Sequence, residues 1–370
     1  MTARHDPAIS ALRATAYRLP TDTPEADGTL HWDATTLVLV EVDAGGETGL
    51  GYTYADASLV GLITDRFAPL VEHADPFAPG RISQRLWQSV RNLGRSGLAA
   101  CAISAVDTAV WDLKARLLGV PLASLLGSLR DQVPVYGSGG FVSHADRRLQ
   151  AQLGRWVHED RCRWVKMKIG TDAERDAERV TAARSAIGDD AGLFIDANGA
   201  HNSRSAIAFA VRVAEANVAW FEEPVSSDDL QGLRQIRAAL DASGLATEVA
   251  AGEYAYAPDD FRRLLECHAV DVLQADITRC GGLSGFLQAA ALCEAFHIDL
   301  SAHCAPALHL HACCAVPRLR HIEWFADHVR IEALLFDGAP EIRQGVIAPD
   351  LGRSGHGLRL KHVDAQRYAI

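Results

Sequence analysis

Beyond residue 130, short apolar runs alternate with longer stretches in which apolar residues recur at helical spacing. The short runs predict eight β-strands, at residues 133–137, 164–169, 193–196, 218–222, 248–251, 270–274, 299–302 and 321–324. The longer stretches predict seven helices, at residues 147–157, 173–186, 203–216, 230–240, 258–265, 283–296 and 308–315. Eight strands with seven intervening helices favour a parallel (β/α)7β barrel. A doubly wound open sheet is the alternative, but it does not predict polar residues at nearly every strand end.

The first part of the chain shows a different pattern. Residues 9–17 and 35–43 are rich in Val, Leu and Thr, and the second run predicts a strand. A Gly45-Gly46 turn leads to another strand at 48–54, and amphipathic helices follow at 58–72, 81–90 and 97–118. The expected fold is therefore a modified (β/α)7β barrel with an N-terminal α+β capping domain. We place the capping domain at residues 1–128, the barrel at 129–335, and a C-terminal segment returning to the capping domain at 336–370.

Residues 19–32 form a polar stretch with two prolines, one glycine and neither helical nor strand periodicity. A loop of this length is either mobile or a lid that touches ligand, and we favour the lid. Candidate substrate contacts are Asp22, Glu25 and His31 in this stretch, together with Tyr54 at a strand end. These polar groups suit a hydroxyl-bearing substrate, whereas an aryl substrate would favour an apolar lid.

Composition narrows the class of protein. The chain has 370 residues, of which 48% are hydrophobic and 22% charged, as is ordinary for a soluble globular protein. A formal net charge of −11 argues against nucleic-acid binding, because phosphate contacts require a basic surface. Residues 1–20 contain no signal-type apolar stretch, so we expect a cytoplasmic protein without a membrane partner. The eight cysteines lack Cys-x-x-Cys spacing, which favours buried thiols over a zinc cluster.

Three carboxylates, Asp196, Glu222 and Glu253, each follow a short apolar run at similar intervals. Each one alone could be a helix N-cap or a first-turn acid. In a parallel barrel, however, successive strand ends point to the same face, so the three would lie together. Hard oxygen ligands on one rim favour a divalent cation of the Mg²⁺ type.

Two lysines, Lys166 and Lys168, share one side of the second barrel strand. We expect burial and the positive neighbour to lower the pKa of one lysine, which would make it a competent base. The alternative is a pair of surface lysines on a frayed edge. Asp276 and His303 end the sixth and seventh strands, where the carboxylate could orient the imidazole. A lone histidine is more often a core or capping residue, but the acid on the next strand favours catalysis.

Glu323 lies on the eighth strand, at the same rim. If it is protonated or shares a proton, it could donate a hydrogen bond to a developing oxyanion. The structural alternative is a pairing with Arg330 or His328.

These motifs together resemble the enolase superfamily, and specifically its mandelate racemase subgroup. The resemblance covers essentially the whole chain and rests on an ordered set of motifs: Lys166-Met167-Lys168, Asp196-Ala197-Asn198-Gly199, Glu222-Glu223-Pro224, Gly252-Glu253, Asp276 with His303, and Glu323. It implies that the three carboxylates bind Mg²⁺. It implies further that Lys168 is the base on one face and His303, held by Asp276, the acid or base on the other. Lys166 and Glu323 would contact the substrate carboxylate, and Asn198 is a further substrate-binding candidate.

The expected activity is that of a Mg²⁺-dependent acid-sugar dehydratase acting on an aldonate or aldarate. It would remove the proton α to the carboxylate and eliminate the β-hydroxyl to give a 2-keto-3-deoxy acid. A racemase or epimerase of a hydroxy acid, working through the same enediolate, is the alternative, and a non-catalytic sugar-acid binder is a minor one. The expected partners are a small carboxylate substrate and further copies of the chain, as a dimer or octamer.

Overall fold

The computed structural model describes residues 7–370. The N-terminal part is an antiparallel sheet in the order β1, β2, β3, covered by helices. The strands are β1 (Ala11–Ala26), β2 (His31–Ala44) and β3 (Glu47–Tyr54). The helices are α1 (Leu59–Gly61), α2 (Ala68–Val71), α3 (Pro79–Ser89), α4 (Leu98–Leu117) and α5 (Leu122–Leu126), and a π-helical stretch, Leu62–Phe67, joins α1 to α2. The predicted α+β capping fold is confirmed, and α5 is an addition.

The predicted loop at residues 19–32 is wrong, because β1 and β2 continue through it as a long hairpin. Its prolines are tolerated because β1 is an edge strand, with one side free of ladder hydrogen bonds. The register shifts between Pro20 and Glu25, and the tip is fixed by Asp27, whose Oδ1 accepts hydrogen bonds from Leu30 N at 2.8 Å and Thr29 N at 2.7 Å. The predicted lid is therefore a β-hairpin arm.

Eight parallel strands close into a barrel, because the last one pairs with the first. The strands are β4 (Val133–Gly139), β5 (Trp164–Lys168), β6 (Gly192–Asp196), β7 (Val218–Glu222), β8 (Glu248–Ala251), β9 (Val272–Ala275), β10 (Asp299–Ala302) and β11 (Leu319–Phe325). The helices between them are α6 (Asp146–His158), α7 (Ala173–Ile187), α8 (Ser203–Arg212), α9 (Leu230–Ala242), α10 (Pro258–Glu266), α11 (Gly282–Phe296) and α12 (Pro306–Cys313), with a 3₁₀ turn at Ala214–Ala216. The predicted barrel is confirmed. An unpredicted helix, α13 (Ala326–Leu335), follows the eighth strand.

Several buried contacts join the cap to the barrel, and two of them come from β3. Tyr52 on β3 donates a hydrogen bond from its hydroxyl to Glu332 Oε1 on α13 at 2.5 Å, and Thr53 Oγ1 donates one to Thr278 O at 2.8 Å. Burial raises the pKa of Glu332 from its ordinary value to about 8. A protonated carboxyl group therefore lies in the contact between the two parts at neutral pH.

The chain after α13 runs back against the cap. It contains the short strands β12 (Phe336–Asp337), β13 (Val346–Ile347) and β14 (Arg359–Leu360), the helix α14 (His362–Ala365) and a 3₁₀ turn at Gln366–Tyr368. Ile370 N donates a hydrogen bond to Ala16 O at 3.0 Å, and His356 Nε2 lies 2.8 Å from Leu50 O. The domain boundaries given above stay a prediction. Among residues 7–370, no helix combines the length and apolar character needed to cross a bilayer.

The hairpin arm reaches the C-terminal rim of the barrel through Gly28. A Cβ atom at this position would lie 2.6 Å from Ile169 O and 2.7 Å from Ala197 O, both backbone atoms just beyond β5 and β6. No larger residue fits here without a shift of backbone, since real Cβ contacts are not so short. The absence of a side chain at Gly28 thus lets the arm close over the strand ends.

Candidate active site

The three carboxylates lie together at the C-terminal rim. Asp196 ends β6, Glu222 ends β7, and Glu253 follows β8 by two residues. They are buried, and one ligand atom of each lies within 4.8 Å of those of the others. Gly252 makes this placement possible, because its φ of 134° favours glycine and a Cβ would lie 2.2 Å from Gln274 O. The strand ends thus bring the three predicted metal ligands into one cluster.

The charges around this cluster do not balance. Six buried carboxyl groups (Asp196, Glu222, Glu223, Glu253, Asp276 and Glu323) lie among three cationic side chains (Lys166, Lys168 and Arg279) and His303, an excess of two negative charges when all six are ionised and His303 is protonated. One divalent cation would neutralise this excess.

Burial, and then the neighbouring Asp196, raise the pKa of Glu222 to about 8, as expected where negative charge is under-compensated. Two further buried oxygens nearby, Asn198 Oδ1 and Glu223 Oε1, accept no hydrogen bond from residues 7–370. Asn198 and Glu223 both have positive φ, at 46° and 37°, a conformation that clusters at functional sites. An all-oxygen donor set with excess negative charge fits Mg²⁺.

Both lysines are ion-paired with this cluster. Lys168 Nζ lies 2.5 Å from Asp196 Oδ2. Lys166 Nζ contacts Glu222, and lies 2.8 Å from Glu323 Oε1 and 3.4 Å from Asp196 Oδ2. The expectation that one lysine has a lowered pKa is wrong for this arrangement of charges. Burial does act to lower the pKa of Lys168, but the Asp196 carboxylate outweighs it, and the pKa is raised.

His303 directly follows β10, whereas Lys168 ends β5. Around the barrel, β10 is the third strand from β5 when one passes β4 and β11, and the fifth strand in the other direction. His303 Nδ1 lies 2.8 Å from Asp276 Oδ2, and Thr278 fixes Asp276 by two hydrogen bonds of 2.7 Å to Oδ1. Burial disfavours the imidazolium, but Cys304, then Glu253 and Glu323, and the hydrogen bond to Asp276 raise the pKa of His303. The predicted pairing of His303 with Asp276 is therefore present.

Glu323 lies between His303 and Lys166. Its Oε1 accepts hydrogen bonds from Ser138 Oγ at 2.6 Å and pairs with Lys166, and its Oε2 accepts one from Cys304 N at 3.0 Å. Burial opposes ionisation, but Lys166 lowers the pKa of Glu323, so the side chain is a carboxylate. The condition for a donor role, a protonated Glu323, is therefore not met. The alternative pairing with Arg330 or His328 is wrong, because Arg330 contacts Asp327 and His328 Nδ1 lies 3.4 Å from Ala305 N.

A cavity of about 400 Å³ opens beside this cluster. Its walls include Asn198, Glu253, Arg279, His303 and Cys304 from the barrel, Trp32, Thr35, Thr36, Tyr54 and Asp56 from the cap, and Phe325, Asp327 and His328 from β11 and α13. Of the predicted substrate contacts, Asn198 and Tyr54 line it. Asp22 and His31 are exposed on the hairpin arm, and Glu25 Oε2 accepts a hydrogen bond from Trp32 Nε1 at 3.0 Å.

Sequence reasoning missed several groups in this site. Arg279 Nη1 lies 3.2 Å from Glu253 Oε1, its Nε lies 3.6 Å from Asp276 Oδ2, and its guanidinium lies over the Tyr254 ring. Cys304 Sγ lies 3.4 Å from His303 Nε2. Both could have been suspected from their proximity in sequence to Asp276 and His303. No sequence signal indicated the cavity wall formed by Trp32 and Phe325.

Comparisons with known proteins agree with this geometry. The family model "Mandelate racemase / muconate lactonizing enzyme, N-terminal domain" matches residues 14–127, and "Enolase C-terminal domain-like" matches residues 148–365. A crystal structure of a mandelate racemase/muconate lactonizing enzyme-like protein from Rubrobacter xylanophilus superposes with a TM-score of 0.95 at 48% identity, covering 98% of this chain and 100% of that one.

Two relatives of known activity are also similar. The 3,6-anhydro-alpha-L-galactonate cycloisomerase of Streptomyces coelicolor is 32% identical, over 98% of this chain and 99% of its own length. The L-talarate/galactarate dehydratase of Salmonella typhimurium LT2, crystallised with Mg and L-lyxarohydroxamate, has a TM-score of 0.89 at 28% identity, covering 100% of this chain and 95% of its own.

Proposed function

Because the chain belongs to the mandelate racemase/muconate lactonizing enzyme family of the enolase superfamily, we propose that it is a Mg²⁺-dependent enzyme that dehydrates a sugar acid. The substrate is an aldonate or aldarate, and the product is a 2-keto-3-deoxy acid. One observation carries the proposal. Lys168 and His303 lie at the ends of barrel strands three apart, and the three carboxylates lie on or just beyond the strands along the other arc between them.

The carboxylates of Asp196, Glu222 and Glu253 are the groups that would hold the metal ion. When bound, Mg²⁺ supplies positive charge that offsets both these carboxylates and the charge developing on the substrate carboxylate. Without that compensation, Asp196 first, and then Glu222 and Glu253, raise the pKa of Lys168 and hold it as an ammonium ion. The remaining influences on Lys168, which are burial and the adjacent Lys166, both favour the neutral amine.

In the first step, Lys168 Nζ accepts the proton from the carbon α to the substrate carboxylate. The electron pair left behind moves onto that carboxylate and forms an enediolate with two negatively charged oxygens. Lys166, which is held by Glu323 at 2.8 Å, places a fixed ammonium ion where this charge develops. The substrate carboxylate would replace one of the carboxylates that now pair with Lys166. The ammonium group is therefore already oriented toward an anionic oxygen.

In the second step, His303 Nε2 donates a proton to the β-hydroxyl, the C–O bond breaks, and water leaves. The enol that remains tautomerises to the 2-keto acid. Asp276 supports this step, because its 2.8 Å contact with Nδ1 fixes the ring orientation and stabilises the imidazolium. The raised pKa of His303 keeps the proton available at neutral pH.

The cavity supports a polyhydroxylated substrate. Its volume of about 400 Å³ lies at the lower end of the range of small-molecule sites. Thr35, Thr36, Asp56 and Asp327 give its distal wall hydroxyl and carboxylate groups that can pair with sugar hydroxyls. These four wall residues take the place of the predicted substrate contacts Asp22, Glu25 and His31, which do not line the cavity.

Cycloisomerisation is a second candidate, because a relative with that activity matches over 98% of this chain. The enediolate would then expel a ring oxygen instead of water, and the product would have the same mass as the substrate. Racemisation or epimerisation is the third outcome of the same first step, in which His303 protonates the α-carbon from the opposite face.

The test is to incubate the protein and Mg²⁺ with a panel of aldonates, aldarates and their anhydro or lactone forms. A dehydratase gives a product lighter by one water that reacts as a keto acid. An unchanged mass with a new keto group indicates a cycloisomerase. Inversion or solvent deuterium exchange without any carbonyl product indicates a racemase or epimerase, and would reject the dehydratase proposal.

Two variants serve as controls in the same assay. Lys168→Ala should remove exchange of the α-proton with D₂O, and His303→Asn should retain that exchange while it loses elimination, because the two residues act on opposite faces. Full activity in either variant would contradict the assigned roles, and no turnover or exchange on any panel member would favour a binding protein.

A further inference from the structure

The proposed acid and two neighbouring side chains form a cluster that the dehydration mechanism does not use as a unit. They are His303, Cys304 and Glu323, all buried. His303 Nε2 lies 3.4 Å from Cys304 Sγ and 3.6 Å from Glu323 Oε2, and Cys304 Sγ lies 3.3 Å from Glu323 Oε2. One nitrogen, one sulfur and one oxygen thus form a compact triangle.

The triangle is close in size to the ligand set of a tetrahedral zinc site. With bonds of about 2.3 Å to sulfur and about 2.0 to 2.1 Å to nitrogen and oxygen, tetrahedral Zn²⁺ places sulfur about 3.5 to 3.6 Å from nitrogen or oxygen, and nitrogen about 3.3 to 3.4 Å from oxygen. The observed separations, 3.4 and 3.3 Å from sulfur and 3.6 Å between nitrogen and oxygen, lie within about 0.3 Å of these values. We propose that His303 Nε2, Cys304 Sγ and Glu323 Oε2 form a second metal site that takes Zn²⁺ and inhibits the enzyme.

The groups behind these ligands have the arrangement that zinc sites require. Asp276 accepts the Nδ1 proton of His303, so the other ring nitrogen can offer its lone pair, as in carboxylate–histidine–zinc sites. Ser138 and Lys166 hold Glu323 through Oε1, and the Cys304 N–H donates to Oε2 at 3.0 Å, which fixes Oε2 beside the histidine and the thiol with a lone pair to spare. The three ligand atoms are therefore oriented before any ion arrives.

The cluster is also accessible and chemically distinct from the carboxylate site. His303 and Cys304 line the cavity, which provides an entry path and room for a water or substrate oxygen as fourth ligand. Thiolate and imidazole ligands favour Zn²⁺, whereas the all-oxygen cluster favours Mg²⁺. Zn²⁺ would replace the proton of the thiol and any proton on Nε2. The two clusters share no residue, but they are adjacent, because His303 Nε2 lies 3.3 Å from Glu253 Oε2.

The inhibitory consequence rests on the proposed function, in which Nε2 carries the proton for the leaving group. The metal site itself does not. Binding is therefore measured directly, on the whole chain with saturating Mg²⁺, with Co²⁺ as a coloured probe for Zn²⁺. The expected result is one equivalent of bound Co²⁺ with a near-ultraviolet thiolate-to-cobalt absorption band, which one equivalent of Zn²⁺ removes. No such band in the wild type would overturn the proposal.

Two substitutions locate the site. Cys304→Ser should abolish the band and weaken Zn²⁺ binding by more than about 100-fold in equilibrium dialysis, because loss of an outer-shell partner alone weakens binding about 10- to 100-fold. Cys267→Ser is the matched control. The half-buried Cys267 thiol contacts Leu230 and Gln231 and belongs to neither candidate metal cluster. The band should persist in that control. Persistence in Cys304→Ser would overturn the proposal.

A third substitution keeps the test possible if Cys304→Ser does not fold. If Cys304→Ser is poorly folded, Cys304→Ala is used, because the apolar Phe141 and Phe325 pack around this side chain and tolerate a methyl group. Inhibition of the Mg²⁺-loaded enzyme by Zn²⁺ is then compared between wild type and variant. Equal inhibition in both would mean that Zn²⁺ acts by replacing Mg²⁺ at the three carboxylates, and would refute inhibition through Cys304.

Discussion

Glu332 allows a quantitative test of how the cap is held on the barrel. Its Oε1 accepts the Tyr52 hydroxyl proton at 2.5 Å, and its Oε2 accepts a hydrogen bond from Ala307 N at 3.2 Å. Burial raises its pKa from 4.5 to about 8. Glu332→Gln removes the ionisation, and the amide can still accept from Ala307 and hydrogen-bond with Tyr52.

The sign of the effect follows from linkage. The folded state holds the Glu332 proton up to about pH 8, whereas the unfolded chain releases it near pH 4.5. Stability from this group is therefore fully present below about pH 4.5 and is lost progressively as the pH rises to 8, at about 1.36 kcal/mol per pH unit. Between pH 5 and pH 7 the loss is about 2.5 kcal/mol. The free energy of unfolding of Glu332→Gln, relative to wild type, should rise by this amount over that interval.

Urea unfolding at pH 5, 6 and 7, followed by circular dichroism, measures this difference. Glu341→Gln, at an exposed position, is the control and should run parallel to wild type. Any constant offset in Glu332→Gln reports altered hydrogen bonding, and only the slope against pH reports the ionisation. Parallel curves for wild type and Glu332→Gln would refute the assignment of a protonated Glu332 to the cap contact.

Three further predictions concern the active site. Asp276→Asn should lower kcat by about 10⁴-fold with little change in Mg²⁺ affinity, because His303 loses the carboxylate that fixes its Nδ1 proton; steady-state kinetics and Mg²⁺ titration check this. Gly28→Val should raise KM about tenfold, since its Cβ would lie 2.6 Å from a backbone oxygen, whereas Gly61→Ala, with open space around it, should not. Restoring Mg²⁺ to the EDTA-treated protein, at about 100 times its Kd, should stabilise it by about 2.7 kcal/mol in thermal unfolding, and Asp196→Asn should lose this effect.

The barrel was predictable because its strands are short, fully buried and separated by amphipathic helices, so one periodicity replaces another at each boundary. The hairpin arm was not. Its two prolines and polar composition resemble those of a loop, and only its edge position, which depends on tertiary structure, makes them compatible with a strand. Helix α13 was also missed, because the eighth strand was expected to end the repeat.

The candidate site divides in the same way. Side chains at strand ends could be placed together from the barrel topology alone, and Asp196, Glu222 and Glu253 meet as expected. The charge states of Lys168 and Glu323 could not be predicted from the sequence, because they depend on distances of a few ångströms between groups on different strands. The sequence order carries no record of those distances.

The hairpin arm and the residues proposed to transfer protons come from different parts of the chain, and this separation has an evolutionary consequence. The arm precedes the barrel, whereas Lys168 and His303 lie on barrel strands or at their ends. Mutations in the arm can therefore alter which molecule is admitted while the acid and base are inherited unchanged. Enzymes with this arrangement can therefore change substrate through substitutions in the hairpin arm alone, while the proposed acid and base stay in place.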